Sequence, residues 1–143
     1  KALLDDGRIT KRERSLAGLR KHFSEHPEDI PYLHKNPSYV FFRERADAGR
    51  APVGSIGEPL TPLRSLALDR EIYPRGALVL VETSIPGATG EAKPFRQFML
   101  VQDTGGAIRS PGRADIYAGT GDEAEAVAGN LYAEGKLYFL LLK

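Results

Sequence analysis

The sequence predicts a mainly β protein, in which a short helical segment precedes a small closed barrel of about six strands. Fifteen glycines and ten prolines in 143 residues make the chain rich in turns, which favours short strands over long helices. Helical spacing of apolar residues stands out before residue 37, and short β-branched and aromatic runs recur after it. The length suits one modest hydrophobic core.

Two helices are predicted before the strands. Thr10 and Glu13 have the spacing of a capping box. The apolar residues after them recur at helical spacing, at Leu16, Leu19 and Phe23. A helix is therefore expected over 11–25. A short second helix is expected over 27–36, because Pro27 suits a first-turn position and Asn36 with Pro37 forms a natural stop.

The remaining chain alternates short strands with loops. Strands are expected over 38–43, 64–68, 77–82, 95–102 and 136–142. Residues 84–94 are expected to form an exposed loop. A small helix is expected over 122–128, with Asp122 as its cap and Gly129-Asn130 at its end.

Composition excludes several classes of function. A net charge of +1 gives no basis for nucleic-acid binding, and the lack of cysteine removes disulfides, thiolate metal sites and a cysteine nucleophile. The longest apolar run, 137–142, is too short to span a membrane. Because the chain begins at Lys1 and its first residues do not form a signal peptide, we expect a longer precursor with any export signal upstream.

Three aspartates are the candidate catalytic residues: Asp69, Asp103 and Asp115 each lie at the end of a predicted strand. Cleavage of a glycosidic bond needs a carboxylic acid that stays protonated near neutral pH, and burial or a neighbouring carboxylate can provide that. The alternative is that each aspartate accepts backbone N–H bonds in a turn. Gly105-Gly106 would let a ligand approach the backbone, or would form a tight turn.

No metal site and no cofactor are predicted. His22 and His26 are four residues apart, but no third ligand accompanies them. We expect the histidines, including His34, to be surface residues. Among the aromatic residues, Tyr117 is the best candidate for stacking on a sugar, because it lies beside Asp115.

Four segments resemble blocks of the membrane-bound lytic murein transglycosylase A family, whose C-terminal part carries the three-aspartate (3D) domain. The segments are Asn36-Pro37-Ser38-Tyr39-Val40-Phe41-Phe42-Arg43, Leu60-Thr61-Pro62-Leu63-Arg64-Ser65-Leu66-Ala67-Leu68-Asp69-Arg70, Gln102-Asp103-Thr104-Gly105-Gly106-Ala107-Ile108 and Ala114-Asp115-Ile116-Tyr117-Ala118-Gly119. They occur in the order that the family has.

The resemblance implies a fold of two domains with a saccharide groove between them. Residues 38–143 would form most of a six-stranded double-psi β-barrel, and residues 1–37 would be the helical segment that returns from an inserted β domain. The other barrel strands and the inserted domain would lie outside this chain. An N-terminal fragment of the same precursor is therefore an expected partner.

The resemblance also implies an activity: cleavage of the β-1,4 bond between N-acetylmuramic acid and N-acetylglucosamine in peptidoglycan, with formation of a 1,6-anhydro sugar. Asp115 would be the single acid/base, and Asp103 and Asp69 would favour its protonated form and order its hydrogen bonds. The residues expected to bind the saccharide are Arg64, Gly105, Gly106, Ala107 and Tyr117. The enzyme would be periplasmic, associated with the outer membrane through a region upstream of this chain.

Two other functions remain open at this point. A non-catalytic glycan-binding barrel would use the aromatic residues and the glycine-rich loop, with the aspartates only shaping a groove. A metal-dependent hydrolase is less well supported by the sequence, because no histidine lies near the carboxylates.

Overall fold

The computed structural model describes residues 1–39, 41, 44, 51–87 and 91–142. The chain divides into two compact units, Lys1–Ala46 and Asp47–Lys143. Among the described residues, none of the helices has both the length and the apolar character needed to cross a bilayer.

The first unit is a series of short helical elements. They are α1 (Ala2–Asp5), a 3₁₀ helix (Lys11–Arg14), α2 (Leu16–Glu25), a second 3₁₀ helix (Pro27–Asp29) and α3 (Pro31–His34). The single helix expected over 11–25 is wrong, because the chain is extended at Ser15. The Ser15 hydroxyl accepts the backbone N–H of Gly18 at 3.1 Å and so starts a new helix. Serine side chains compete with helical backbone bonds in this way.

The predicted capping box is confirmed. A carboxylate oxygen of Glu13 accepts the Thr10 backbone N–H and the Thr10 hydroxyl, each at 2.7 Å. The Thr10 backbone bond, followed by the hydroxyl bond, lowers the pKa of Glu13. Pro27 opens its element as predicted, but Pro31 begins a separate helix, so the helix expected over 27–36 is two short pieces.

His22 is not the surface residue that was expected. Its Nε2 lies 2.9 Å from Oδ2 of Asp29, a carboxylate only 3% exposed. Arg8 Nη1 lies 3.8 Å from the other oxygen of Asp29. A buried carboxylate needs such partners to compensate its lost hydration, which explains why His22 turns inward.

The second unit is built on a five-stranded sheet in the order β4-β1-β3-β2-β5. Its strands are β1 (Ser65–Ala67), β2 (Leu78–Pro86), β3 (Ala92–Asp103), β4 (Asp115–Ile116) and β5 (Lys136–Leu140). Strand β1 pairs parallel with β3 and antiparallel with β4. Strand β2 pairs antiparallel with both β3 and β5.

Closure into a six-stranded double-psi barrel stays a prediction. Within the described part of the chain the sheet is open, with β4 and β5 as its two edges. Residues 40, 42 and 43 of the strand expected over 38–43 lie outside the described residues, and Ser38, Tyr39 and Phe41 are not in a strand.

The loop expected over 84–94 is mostly strand. Strands β2 and β3 form a long hairpin whose pairing continues to Pro86 opposite Ala92. The polar and proline-containing sequence concealed these strand ends, which are stabilised by pairing with one another across the hairpin rather than by burial.

The small helix near the C-terminus, α4 (Asp122–Asn130), begins differently from the prediction. Its N-cap is Gly121, with φ 87°, and Asp122 is already helical. The positive φ favours glycine at this position. Asp122 therefore acts only as an acidic residue in the first turn, where it faces the positive end of the helix dipole.

The two faces of the sheet differ in burial. The buried core is formed by Leu66, Leu68, Val79, Val81, Phe95, Met99 and Val101. The opposite face of β2, β3 and β5 carries apolar residues that are paired across the strands and remain partly or largely exposed. We call them the outer apolar patch: Leu78, Leu80, Phe98, Leu100, Tyr138 and Leu140.

Candidate active site

Strand β1 places two of the three aspartates next to one another. Ala67 pairs with Asp103 of β3 on one side and with Asp115 of β4 on the other. A register shift between Leu66 and Ala67 brings Asp103, rather than Gln102, opposite Ala67. Bulges of this kind re-aim side chains near sites. With one strand between them, the two aspartate Cα atoms are about 10 Å apart, or two strand spacings.

Both carboxylates line one small cavity of about 250 Å³. The cavity is bordered by Leu60, Ser65, Leu66, Ala67, Asp103, Thr104, Gly105, Ile108, Asp115, Ile116 and Tyr117. Four of the predicted site residues are thus brought together. The other four predicted residues, Asp69, Arg64, Gly106 and Ala107, are not in the lining.

Asp103 is held at the end of β3 by backbone contacts. Its Oδ1 accepts the N–H of Ser55 at 3.0 Å, and its carbonyl oxygen accepts the N–H of Leu68 at 3.3 Å. The residue is half-buried. Asp103 therefore connects the loop at Ser55 to the cavity.

Asp115 is paired with an arginine that the sequence analysis did not select. Arg113 Nε and Nη2 each donate to one carboxylate oxygen of Asp115 at 2.9 Å, and Nη1 donates to the carbonyl oxygen of Ala107 at 3.0 Å. The bond to Asp115 raises the pKa of Arg113. The available signal was a basic residue two positions before the aspartate, which a strand or extended segment places on the same side.

Asp69 contacts the turn that follows β1. It is 5% exposed, and its Oδ1 accepts the N–H of Glu71 at 3.0 Å. Its carbonyl oxygen accepts the N–H groups of Ile72 and Tyr73 at 3.1 and 2.9 Å. This is the turn contact that aspartate commonly makes.

A buried hydrogen-bonded pair beneath the cavity was also missed by the sequence analysis. Ser65, 1% exposed, donates from its hydroxyl to Gln102 Oε1 at 2.6 Å and accepts the N–H of Thr61 at 2.8 Å. Tyr117 lies beside it, because its backbone N–H donates to the Ser65 carbonyl oxygen at 3.0 Å. Serine in a strand gives no sequence signal for such a role.

The glycine pair forms the turn after β3. Ile108 N–H bonds to the Gly105 carbonyl oxygen at 2.9 Å. A Cβ at Gly105 would lie 3.2 Å from the Ile108 side chain, whereas a Cβ at Gly106 would meet open space. The chain itself therefore constrains Gly105, and the backbone at Gly106 is open to approach from outside.

A larger cavity of about 750 Å³ is also lined by Asp115 and is bordered by residues of both edge strands, including Ile116 of β4 and Leu137 of β5. The rings of Tyr73 and Phe139, which both line this cavity, stack with their centroids 4.8 Å apart. The Tyr73 hydroxyl donates to the Pro111 carbonyl oxygen at 3.0 Å. Asp115 is thus accessible from two cavities.

The described residues contain no group of three or more histidine, aspartate and glutamate side chains arranged to hold a metal ion. Arg64 is exposed, and its carbonyl oxygen accepts the Leu100 N–H at 2.8 Å.

Comparison with known proteins identifies the family. The 3D domain family matches residues 64–141, more than half of the 143-residue chain, and the MltA specific insert domain matches residues 1–43. The chain belongs to the membrane-bound lytic murein transglycosylase A (MltA) family. The Vibrio cholerae MltA is 34% identical over 148 residues, covering 100% of this chain and 39% of that protein. The Escherichia coli K12 MltA is also 34% identical, and the match covers 98% of this chain and 39% of that protein.

Solved MltA structures share the fold. The crystal structure of MltA from Neisseria gonorrhoeae has a TM-score of 0.83 and 34% identity, over 98% of this chain and 35% of that one. E. coli MltA with bound chitohexaose has a TM-score of 0.81 and 29% identity, over 96% and 42%. The chain thus spans about two fifths of the length of these MltA relatives.

Proposed function

We propose that this chain is part of a longer peptidoglycan lytic transglycosylase. The enzyme cleaves the β-1,4 bond between N-acetylmuramic acid and N-acetylglucosamine and leaves a 1,6-anhydromuramic acid end. The observation that carries the proposal is that Asp103 and Asp115 border one cavity in a chain of the MltA family.

Asp115 is the single acid/base in this proposal. Its carboxylic acid protonates the glycosidic oxygen as the bond to C1 breaks, and the resulting carboxylate takes the proton of the C6 hydroxyl as that oxygen bonds to C1. The nucleophile belongs to the same sugar, so proximity replaces the second carboxylate that ordinary glycosidases use. The position of Asp115 in the lining of two cavities supports this role.

The other two aspartates have supporting roles. Asp103 lies across β1 from the acid and orders hydrogen bonds in the small cavity. Asp69 supports the site indirectly, by fixing the turn after β1.

Glycan strands of peptidoglycan are the proposed substrate. The related E. coli enzyme has been solved with chitohexaose, a β-1,4-linked sugar oligomer. Gly105 and Tyr117 line the small cavity, and the open backbone at Gly106 would meet the same strand. Arg64 and Ala107 lie outside the cavity lining and would contact sugars further along the glycan strand.

The remaining part of the protein is the proposed partner of this chain. An N-terminal region of the same precursor would pair with the open edges β4 and β5 and close the double-psi barrel. The same upstream region would direct the enzyme to the periplasm and attach it to the outer membrane, in line with the membrane-bound names of the relatives.

Replacement of Asp115 by asparagine in the complete protein tests the activity. We expect D115N to lose at least about a hundredfold in release of anhydro-muropeptides from sacculi, because the proton donor is gone. The matched control is D122N, at an exposed residue of α4, which should act like the parent protein. Undiminished release by D115N would refute the proposal.

The same preparation distinguishes the two other functions. A protein that is pulled down with sacculi but never reduces their turbidity would be a glycan-binding module. Loss of activity in EDTA would indicate a metal-dependent hydrolase, whereas we expect activity to survive chelation.

A further inference from the structure

The Arg113 side chain makes three hydrogen bonds at the site, two of them to Asp115. It donates to both carboxylate oxygens at 2.9 Å and, through Nη1, to the Ala107 carbonyl oxygen at 3.0 Å. Two parallel bonds between a guanidinium and a carboxylate fix the plane of the carboxyl group, which one bond cannot do. The side chains are 48% and 47% exposed, so the pair lies at the rim of the site rather than in the core.

The contact with Ala107 joins the arginine to a second segment of the chain. Ala107 follows the glycine pair, in the segment expected to bind saccharide. The same guanidinium therefore connects the acid of β4 to the turn after β3.

We infer that Arg113 is the positioning residue of the acid/base, which orients the Asp115 carboxyl group and stabilises the carboxylate formed when the proton is given up. This inference rests on the proposed function.

The role of Arg113 is compatible with both halves of the reaction. When Asp115 is protonated, one carboxyl oxygen still accepts from the guanidinium while the hydroxyl oxygen faces the glycosidic oxygen. After the proton moves to the leaving oxygen, both oxygens accept, and the second bond forms as the charge appears. When the carboxylate takes the C6 hydroxyl proton, that bond is released again, and Arg113 remains protonated throughout.

Other titratable groups also line the two cavities that Asp115 borders. Arg113 itself lines the larger cavity and donates to both oxygens of Asp115. The remaining ones are Asp103 and Tyr117 in the smaller cavity, and Tyr73, Tyr132 and Lys136 in the larger cavity. Among the charged side chains of the described residues that line these cavities, Arg113 is the one that donates two hydrogen bonds to the acid.

The test is the pH–rate profile of the complete protein with Arg113→Gln and Arg113→Lys. Activity falls at alkaline pH because the acid must be protonated to donate. With R113Q the positive charge beside the carboxylate is lost, so this alkaline limb should move upward. The turnover rate kcat should fall on the order of tenfold to a hundredfold, because the carboxyl group is no longer oriented. With R113K the limb should stay near that of the parent protein while kcat still falls, because lysine keeps the charge without the paired bonds.

Arg109→Gln is the matched control. Arg109 is an exposed arginine of the same link, and it donates to the Gly106 carbonyl oxygen at 3.1 Å without bonding to a carboxylate. R109Q should leave both kcat and the alkaline limb unchanged.

Three results would overturn the inference. R113Q could keep both the kcat and the alkaline limb of the parent protein, or it could lower kcat without moving the alkaline limb. R109Q could move the alkaline limb as far as R113Q does. If circular dichroism shows that R113Q does not fold, R113K provides the test. A kcat equal to that of the parent protein would overturn the role of Arg113, whereas a lower kcat with an unmoved alkaline limb would support it. The D115N variant distinguishes failure of the Arg113 inference from failure of the proposed function. An active D115N refutes the function itself, whereas an inactive D115N beside an unchanged R113Q refutes only the role of Arg113.

Discussion

Three aspartates of similar sequence context differ in what their oxygens contact. Asp69 accepts a backbone N–H inside its own turn, Asp103 accepts one from a distant loop, and Asp115 is bonded by a guanidinium. A carboxylate that is occupied by its own turn contributes to folding, and one that borders a cavity is available for chemistry. The partners, rather than the residue type, separate these roles.

Asp69 provides a direct test of that distinction. Asn at this position can accept the Glu71 N–H as Asp does, whereas Ala cannot. We expect D69N to keep the stability of the parent protein within about 0.5 kcal/mol and most of its activity, and D69A to lose about 1–3 kcal/mol in urea unfolding. An inactive but fully stable D69N would show instead that the charge of Asp69 acts on the reaction.

Ser65 is the second residue whose contacts predict a measurable cost. Ser65→Ala would leave the Thr61 N–H and the Gln102 amide oxygen without their buried partner. We expect a loss of about 1–3 kcal/mol in the free energy of unfolding by urea. The control, exposed Ser110→Ala, should change it by less than about 0.5 kcal/mol. Equal effects of the two substitutions would contradict the contribution of the buried network.

At the scale of elements, a strand of only three residues organises the site. β1 pairs with β3 and with β4, so it determines the separation of Asp103 and Asp115. The register shift in β1 decides which residue of β3 lies opposite Ala67. The pairing of β1 therefore positions both aspartates at the cavity, and residues 104–114 connect the end of β3 to the start of β4.

The capping box of the first unit predicts a pH effect. Bonds from Thr10 lower the pKa of Glu13. Because the pKa is lower in the folded protein, this contribution to stability is complete above the unfolded value of about 4.3 and is lost as the pH falls through the folded value. In Thr10→Ala, the pKa of Glu13 measured by NMR should move up toward its ordinary value. Thr120→Ala, at an exposed threonine of the other unit, should leave it unchanged. A T10A variant with an unaltered Glu13 titration would exclude the hydroxyl from the cause.

At the scale of the whole molecule, the described residues leave the outer apolar patch and two edges of the sheet uncovered. The side chains of Leu78, Phe98, Leu100, Tyr138 and Leu140 are each 39–50% exposed and are neighbours across three strands. Contiguous exposed apolar surface of this kind marks an interface. It supports the proposal that another part of the same protein covers the sheet.

The patch gives a test of that partner. Residues 1–143 expressed alone should bind the dye ANS and self-associate in sedimentation experiments. The triple change of Leu78, Leu100 and Leu140 to Thr should reduce both effects, because it removes apolar area but keeps good strand formers. The same change in the complete protein should lower its stability. If the triple change leaves the stability of the complete protein unaltered, the upstream part does not cover the patch.

The local pattern of the sequence determined much of the outcome. The capping box at Thr10 and the strands at β1 and β5 follow from spacing and residue type, which act over a few residues. The hairpin extension to Pro86, the Ser15 break and the inward turn of His22 did not follow, because they depend on partners distant in sequence or on competition between side chain and backbone.

The sequence by itself therefore determined the family to which the chain belongs and the elements whose signals are local. The tertiary structure decided which carboxylates share a cavity, because pairing with β1 brings together residues twelve positions apart, and it revealed Arg113 around the proposed acid. It also left the sheet open, because a strand edge is satisfied only by another strand, and the described chain does not supply one to β4 or β5.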